Sequence, residues 1–459
     1  MSKRADAAIA RARSSRDSDL ADLMEELRMA SISTLPESRA DCLRNAEWLR
    51  QRFEMMGFEA RLVDVVEGGN PVVAAEWNGA PGRRHLTVYG HYDVQPPDPL
   101  ELWDSPPFEP QVRDGNLYAR GAADNKGNHM SAIKAVQHLV GSGGLPINVR
   151  FLLEGEEEIS GRSLPEYVRG SARDLRTDAV LIWDVGFDEA GRPSLATALR
   201  GLLYVELHAR GPAVDVHSGT FGGVAPNPIN TLARIIGELK TSDGRVTIPG
   251  FYDDVLDPTP EELDAWRKDD ATFTKEAMRM MGTRVLEGEA EYLAVERAGS
   301  RPTLDSNGFL GGFVGEGQKT VIPATAFAKV SMRLVPDQDW KRILESLQSY
   351  VQKLTTPGVD VQVKLLSAGP PVSAGADHPA ASALRAAFRE SFGKEAALVR
   401  IGGSIPVAVD FQEALGAPLL ISGIEQADCA IHSPNEHLLI SQYHTGIEAL
   451  IRFMCALGD

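Results

Sequence analysis

The chain has 459 residues, 43% of them hydrophobic and 24% charged, which supplies a substantial core and excludes a largely disordered protein. A formal net charge of -17 argues against nucleic acid or an anionic membrane surface as partner, because both repel a strongly acidic chain. The three cysteines, Cys42, Cys429 and Cys455, are odd in number and lack CxxC spacing, so neither a disulfide framework nor a thiolate zinc knot is expected.

Residues 1–17 are basic but carry no apolar segment, and no run of about 18 apolar residues follows, so a soluble cytoplasmic protein is expected. From about 18 to 57, apolar residues including Leu43, Trp48, Leu49, Phe53 and Met56 recur at three- to four-residue steps and Gly57 closes the run, which predicts helix. Pro71–Trp77 and His85–Tyr89 read as strands. The second leads into Gly90-His91-Tyr92-Asp93-Val94-Gln95-Pro96. Alternation along a strand puts His91 and Asp93 on one side, where the carboxylate can hold one imidazole nitrogen and leave the other for a metal. The proline-rich stretch from Gln95 to Pro110 cannot continue a regular element and is expected to rim a pocket.

The next cluster, Arg120-Gly121-Ala122-Ala123-Asp124-Asn125, stands before a helix with Met130, Ile133, Val136 and Val140 on one face. An Asp there is ordinarily an N-cap, but the same carboxylate can bridge two cations. Asn148–Leu153 reads as a buried strand ending in Glu154-Gly155-Glu156-Glu157-Glu158. A glutamate run is normally solvated, whereas at the end of an apolar strand its members repel unless metals or protons neutralise them. Ala179–Trp183 is a further apolar strand, and it too ends in a carboxylate, Asp184. Strands alternating with helices and ending in polar residues predict an α/β fold, in which ligands collect at the carboxyl ends of strands.

From Gly201 the texture changes. An alternating strand, Leu202–Ala209, precedes Asp215-Val216-His217-Ser218-Gly219 and a helix carrying Ile229, Leu232, Ile236 and Leu239. A polar helical insert over 250–300, a strand at Phe327–Leu334, a helix at Trp340–Val351 and a strand at Val359–Leu366 complete an expected α+β domain. The predicted division is therefore 1–200 and 373–459 as one domain, interrupted by 201–372. After the join, a helix at Ala380–Phe392 and strands at Ala397–Arg400 and Pro418–Ser422 resume the α/β pattern. Gly402-Gly403-Ser404 before a helix can offer backbone N–H groups to an anion, and His432 stands in an irregular segment before a final helix over 441–457. His85, His129, His138, His208, His378, His437 and His444 have no carboxylates patterned around them and read as core or surface residues.

Taken together, the His91 to Pro96 segment, Arg120-Gly121 with Asp124, Glu157-Glu158, Asp184 and His432 resemble the M20 metallopeptidases, in particular their dipeptidase branch of cytosolic non-specific dipeptidases and carnosinases. The resemblance implies a catalytic domain built on a mixed sheet flanked by helices, with an inserted lid and dimerisation domain. It implies two divalent metal ions per subunit, zinc first and manganese as the alternative. His91 and Asp184 would hold one ion, Glu158 and His432 the other, and Asp124 would bridge them. Glu157 would be the general base, and Asp93 would orient His91. His217 would complete the active site of a partner subunit in a homodimer. Arg333, with Ser404, Arg400 and Gly403, would hold a substrate carboxylate near Thr320. The resemblance also implies a cis peptide bond between Asp124 and Asn125, although many members carry Asp-Asp there. Asp rather than Glu at position 184 points toward amino- and dipeptidases and away from carboxypeptidases and deacylases. The expected activity is hydrolysis of dipeptides or short peptides with a free C-terminal carboxylate, by a water that Glu157 activates. The alternative is a metal-dependent amidohydrolase of N-acyl or N-carbamoyl amino acids. A silent binding relative would have lost Glu157 or a ligand, and all are present.

Overall fold

The computed structural model describes residues 3–403 and 405–459. The chain divides into two compact units, one made of Met1–Thr197, Ala374–Val399 and Ile405–Asp459, the other of Ala198–Ser373 and Arg400–Ser404.

The first unit is organised by a mixed sheet. Among the described residues its strands run in the order Glu59–Val63, Val72–Trp77, Asn148–Glu154, His85–His91, Ala179–Trp183, Leu419–Ser422 and Ser194–Leu199, and Ala397–Ile401 also pairs with Ser194–Leu199. The four central strands from Asn148–Glu154 to Leu419–Ser422 are parallel, and those flanking them are antiparallel. Parallel strands need cover on both faces, which is why Ala179–Trp183 is apolar and buried at every position. Register sets His91 opposite Glu154 and Tyr89 opposite Ile182. The residues that follow these strands therefore leave from one edge of the sheet. The helix Lys126–Val140 is buried along almost its whole length, and it packs on Ile440–Gly458 and on Lys3–Ser14.

The N-terminal region is helical as expected over 18–57, and the structure adds detail there. The periodic stretch over 18–57 is two helices, Arg16–Leu27 and Arg39–Met55, separated by an irregular segment over 28–38 that ends in the short turn Pro36–Ser38. Proline lacks the N–H that a continuous helix would require. A further helix, Lys3–Ser14, buries Ala5, Ala8, Ile9 and Ala12, a stripe of mostly alanines too weakly apolar to stand out in the sequence.

The second unit is a four-stranded antiparallel sheet in the order Thr303–Gly311, Thr325–Leu334, Gly201–Arg210, Asp360–Gly369. The helices Pro228–Glu238 and Trp340–Leu354 pack on it, and Leu203, Val205, Leu207, Val330 and Leu347 form its core. The polar stretch over 250–300 contains the helix Pro260–Met281, started by a capping box between Thr259 and Glu262. Among the described residues no helix is long and apolar enough to cross a membrane.

Candidate metal centre

His91 is the last residue of its strand and is buried. Its Nε2 lies 2.9 Å from Asp124 Oδ1 and 3.5 Å from Asp184 Oδ1. On the other side, His432 Nε2 lies 2.9 Å from Asp124 Oδ2 and 3.2 Å from Glu158 Oε2. The two oxygens of one carboxylate thus face two imidazoles. In each of the two groups, His91 with Asp124 and Asp184, and Asp124 with Glu158 and His432, the candidate ligand atoms all lie within 4.8 Å of one another.

The donor chemistry fits divalent ions. Imidazole nitrogen and carboxylate oxygen, without thiolate, suit zinc or manganese. The charges ask for cations as well. Burial opposes charge on His91, but Asp184, Asp124 and Asp93 outweigh it and hold the imidazole well above its usual pKa. Hydrogen bonds to Asp124 and Glu158 push His432 up to about 10. Burial raises Asp184, with Asp124 and Glu158 adding to the rise while His91 opposes it. Burial also acts to raise Asp124, yet the hydrogen bonds from His432 and His91 win and hold it well below the carboxylate range. Carboxylates that meet imidazoles here could be met by metal ions instead, which bind the neutral imidazole and release its proton.

Asp124 is not a cap. The N-cap of the following helix is Asn125, and the Asp124–Asn125 bond is cis, as the resemblance implied. Asn125 ties the site together, since its Oδ1 accepts from the His91 N–H at 3.2 Å while its Nδ2 donates to Trp183 O at 2.9 Å and to the Asp184 carboxylate. An aspartate at 125 would turn an oxygen toward those two acceptors. Gly90 permits this approach, because a Cβ there would stand 2.7 Å from Asn125 Oδ1.

Glu157 and Glu158 open a short turn, Glu157–Ile159, just past the strand Asn148–Glu154. Both backbone N–H groups are held by Asp93, Glu157 N at 3.2 Å from Oδ1 and Glu158 N at 3.1 Å from Oδ2. Asp93 also lies against His91, as expected, and does so with its backbone as well as its carboxylate. His91 Nδ1 meets the backbone carbonyl of Asp93 at 3.0 Å, with the carboxylate at 3.4 Å. The strand ends at His91, so alternation no longer governs position 93. Burial pushes the Glu157 carboxyl up to about 9, with His91 opposing and Asp184, Asp124 and Glu158 adding to the rise.

In the second unit, His217 is exposed, its Nδ1 accepts from the Gly219 N–H at 2.9 Å, and its Nε2 lies 3.3 Å from Thr320 Oγ1. Arg333 is half-buried on the strand Thr325–Leu334, between Leu202 and Thr303 in register. Arg400 is already paired, with Nε and Nη2 each 2.9 Å from the Glu262 carboxylate, so its fork is committed to the Pro260–Met281 helix. Gly403 is exposed and its carbonyl accepts from Arg200 N at 3.2 Å. Ser404 lies outside the described residues.

Residues 87–456 match peptidase family M20/M25/M40. The chain belongs to this family. Membership makes it a peptide-bond hydrolase that uses divalent metal. The Cys-Gly metallodipeptidase of Saccharomyces cerevisiae is 29% identical over 453 residues, covering 94% of each chain. The Beta-Ala-His dipeptidase of Homo sapiens is 29% identical, with 94% of this chain and 87% of that protein covered. Among solved structures, an M20 family metallo-carboxypeptidase from Sulfolobus solfataricus superposes with a TM-score of 0.83 at 33% identity, covering 96% of this chain and 99% of that one.

Two features of this M20 chain escaped the sequence reading. Glu436, four residues after His432, is fully buried against the Asp124 turn. Several histidines read as lacking carboxylates have them, His129 pairing with Glu26 at 2.8 Å and His138 with Asp19 at 2.8 Å. Those partners come from the helix Arg16–Leu27, more than a hundred positions earlier, where no local pattern could reveal them.

Proposed function

We propose that this M20 chain is a metallo-dipeptidase, hydrolysing the peptide bond of dipeptides or short peptides that carry a free C-terminal carboxylate. The observation that carries the proposal is Asp124 facing His91 and His432 with its two oxygens while Asp184 and Glu158 complete the two groups. Two divalent ions, zinc first or manganese, held by His91, Asp124 and Asp184 and by Asp124, Glu158 and His432, would supply Lewis acidity and a lowered pKa for the attacking water. Glu157 takes the water proton and passes it to the leaving amine. Asp93 holds the turn that carries Glu157 in place. Arg333 binds the substrate carboxylate through its planar fork, which recognises that group in two-point fashion. Arg400, paired with Glu262, is left out of that role. His217, beside Thr320 and exposed, serves the active site of the partner in a homodimer as an oxyanion donor. The three cysteines are free and buried, in keeping with a cytoplasmic protein.

The names of the yeast and human relatives, which match along nearly the whole chain, support the dipeptidase class. The Sulfolobus relative is named a carboxypeptidase, so chain length must be part of the test. Metal-reconstituted protein is assayed against dipeptides, tripeptides, C-amidated dipeptides and N-acylated amino acids. Cleavage of free dipeptides with little turnover of the amidated ones supports the proposal. Turnover confined to N-acylated amino acids would replace it with the amidohydrolase.

A further inference from the structure

We infer that Glu436 is a positioning residue that sets the Asp124 carboxylate against His432, so that one buried side chain joins two segments supplying ligands to the same ion. The inference rests on the metal site proposed above.

The Glu436 side chain is only 1% exposed, and all its hydrogen bonds point one way along the chain. Oε1 accepts from the backbone N–H groups of Ala123 and Asp124, each at 3.0 Å. Oε2 accepts from Gly121 N at 2.9 Å and from Arg120 Nη1 at 2.7 Å. The backbone carbonyl of Glu436 in turn accepts from Ala119 N at 3.1 Å. Asn435, beside it, accepts from Asp104 N at 2.9 Å and donates to Leu102 O at 3.0 Å. The segment carrying His432 is thus tied at one end to the turn that presents Asp124, while Asp124 Oδ2 and His432 Nε2 stand 2.9 Å apart. Glu436 offers no atom to either ligand group.

A buried carboxylate is costly unless its lone pairs are used, and here two oxygens take four N–H donors. Were its role only to neutralise Arg120, the ion pair would suffice. Instead three of the four bonds reach the backbone of the turn, one of them at Asp124 itself. Only an ionised carboxylate can accept all four, because an amide would turn its own N–H groups against two of the donors.

The experiment compares metal binding by competitive titration in the unaltered chain, Glu436→Gln, Arg120→Gln, His432→Ala and a control, Glu448→Gln. Glu448 is another buried carboxylate, bound by Arg13 at 2.9 and 2.7 Å, that makes no contact with the ligand residues. The expected result is about a 10- to 100-fold weaker affinity for at least one ion in Glu436→Gln, the range typical when a residue holding a metal ligand is altered. The control retains both ions with unchanged affinity, and circular dichroism confirms that each variant is folded. Folded Glu436→Gln binding both ions as tightly as the unaltered chain, while His432→Ala loses one, overturns the inference and leaves the metal site standing. If His432→Ala also retains both ions, the metal-site reading fails with it. If Glu436→Gln does not fold, Arg120→Gln decides, since it spares the carboxylate and its three backbone contacts. Retained two-metal binding there supports the clamp, and a loss of metal shows that the ion pair carries the effect and overturns it.

Discussion

Asp93 offers the sharpest test of how the catalytic turn is held, because its carboxylate is fully buried and accepts the N–H groups of both Glu157 and Glu158. Asp93→Ala removes both acceptors and leaves two N–H groups without partners. Each such group costs about 1–3 kcal/mol, so the pair predicts a loss of about 2–6 kcal/mol in folding stability. Asp93→Asn keeps one acceptor oxygen and places an amide against the other N–H, so about half that loss is expected. The turn carries the two glutamates, and a displacement of about 1 Å at a reacting group lowers turnover by about 10²-fold. Denaturant unfolding followed by circular dichroism, with dipeptide hydrolysis measured on the same metal-loaded samples, reads both effects. The expected order of damage is Ala, then Asn, then the parent. Stability of Asp93→Ala within about 0.5 kcal/mol of the parent, with unchanged turnover, would refute the account.

Glu157→Gln should keep its metal ions by elemental analysis and lose about 10²- to 10⁴-fold in turnover, whereas full activity would remove Glu157 as the base. Mixing His217→Ala with Glu157→Ala under subunit exchange should restore activity, because in a two-fold dimer half of the mixed sites carry neither lesion. Exchange confirmed by mass without recovery would end the partner role of His217. A third outcome concerns the metal-free chain. Glu157 stands near 9 against an ordinary 4.5, and His432 near 10 against 6.5, so both contribute stability that is complete below the lower value and lost as pH rises through the higher. Thermal stability of the chelated protein should therefore fall with rising pH, most steeply where the two windows overlap, from 6.5 to about 9. Metal should abolish that slope. A chelated protein whose melting temperature is flat or rises across the window contradicts the charge arrangement.

Most of the ligand-type residues were legible in the sequence because they stand just past an apolar strand or in a turn before a helix, His432 in its irregular segment being the exception. His91 follows one strand and Asp184 another, and parallel pairing alone brings such ends to one edge. Local pattern also sufficed for the strand Gly201–Arg210 of the second unit, where burial alternates as the sequence does, but not for its edge strand Thr303–Gly311, whose burial does not alternate. What only the tertiary structure decided is which polar group meets which. Asp93 was placed against His91 by alternation and lies 3.4 Å from that ring, but its carboxylate also accepts the N–H groups of a turn 64 and 65 positions away, which no local pattern shows. Arg400 looked available for a substrate until the insert helix supplied Glu262. Glu436 drew no attention in the sequence, because its partners are backbone donors more than 310 positions earlier. Hydrophobic periodicity repeats along the chain and can be read there. A buried hydrogen bond leaves no such repeat, because its geometry is set by two segments that meet only after the core has closed.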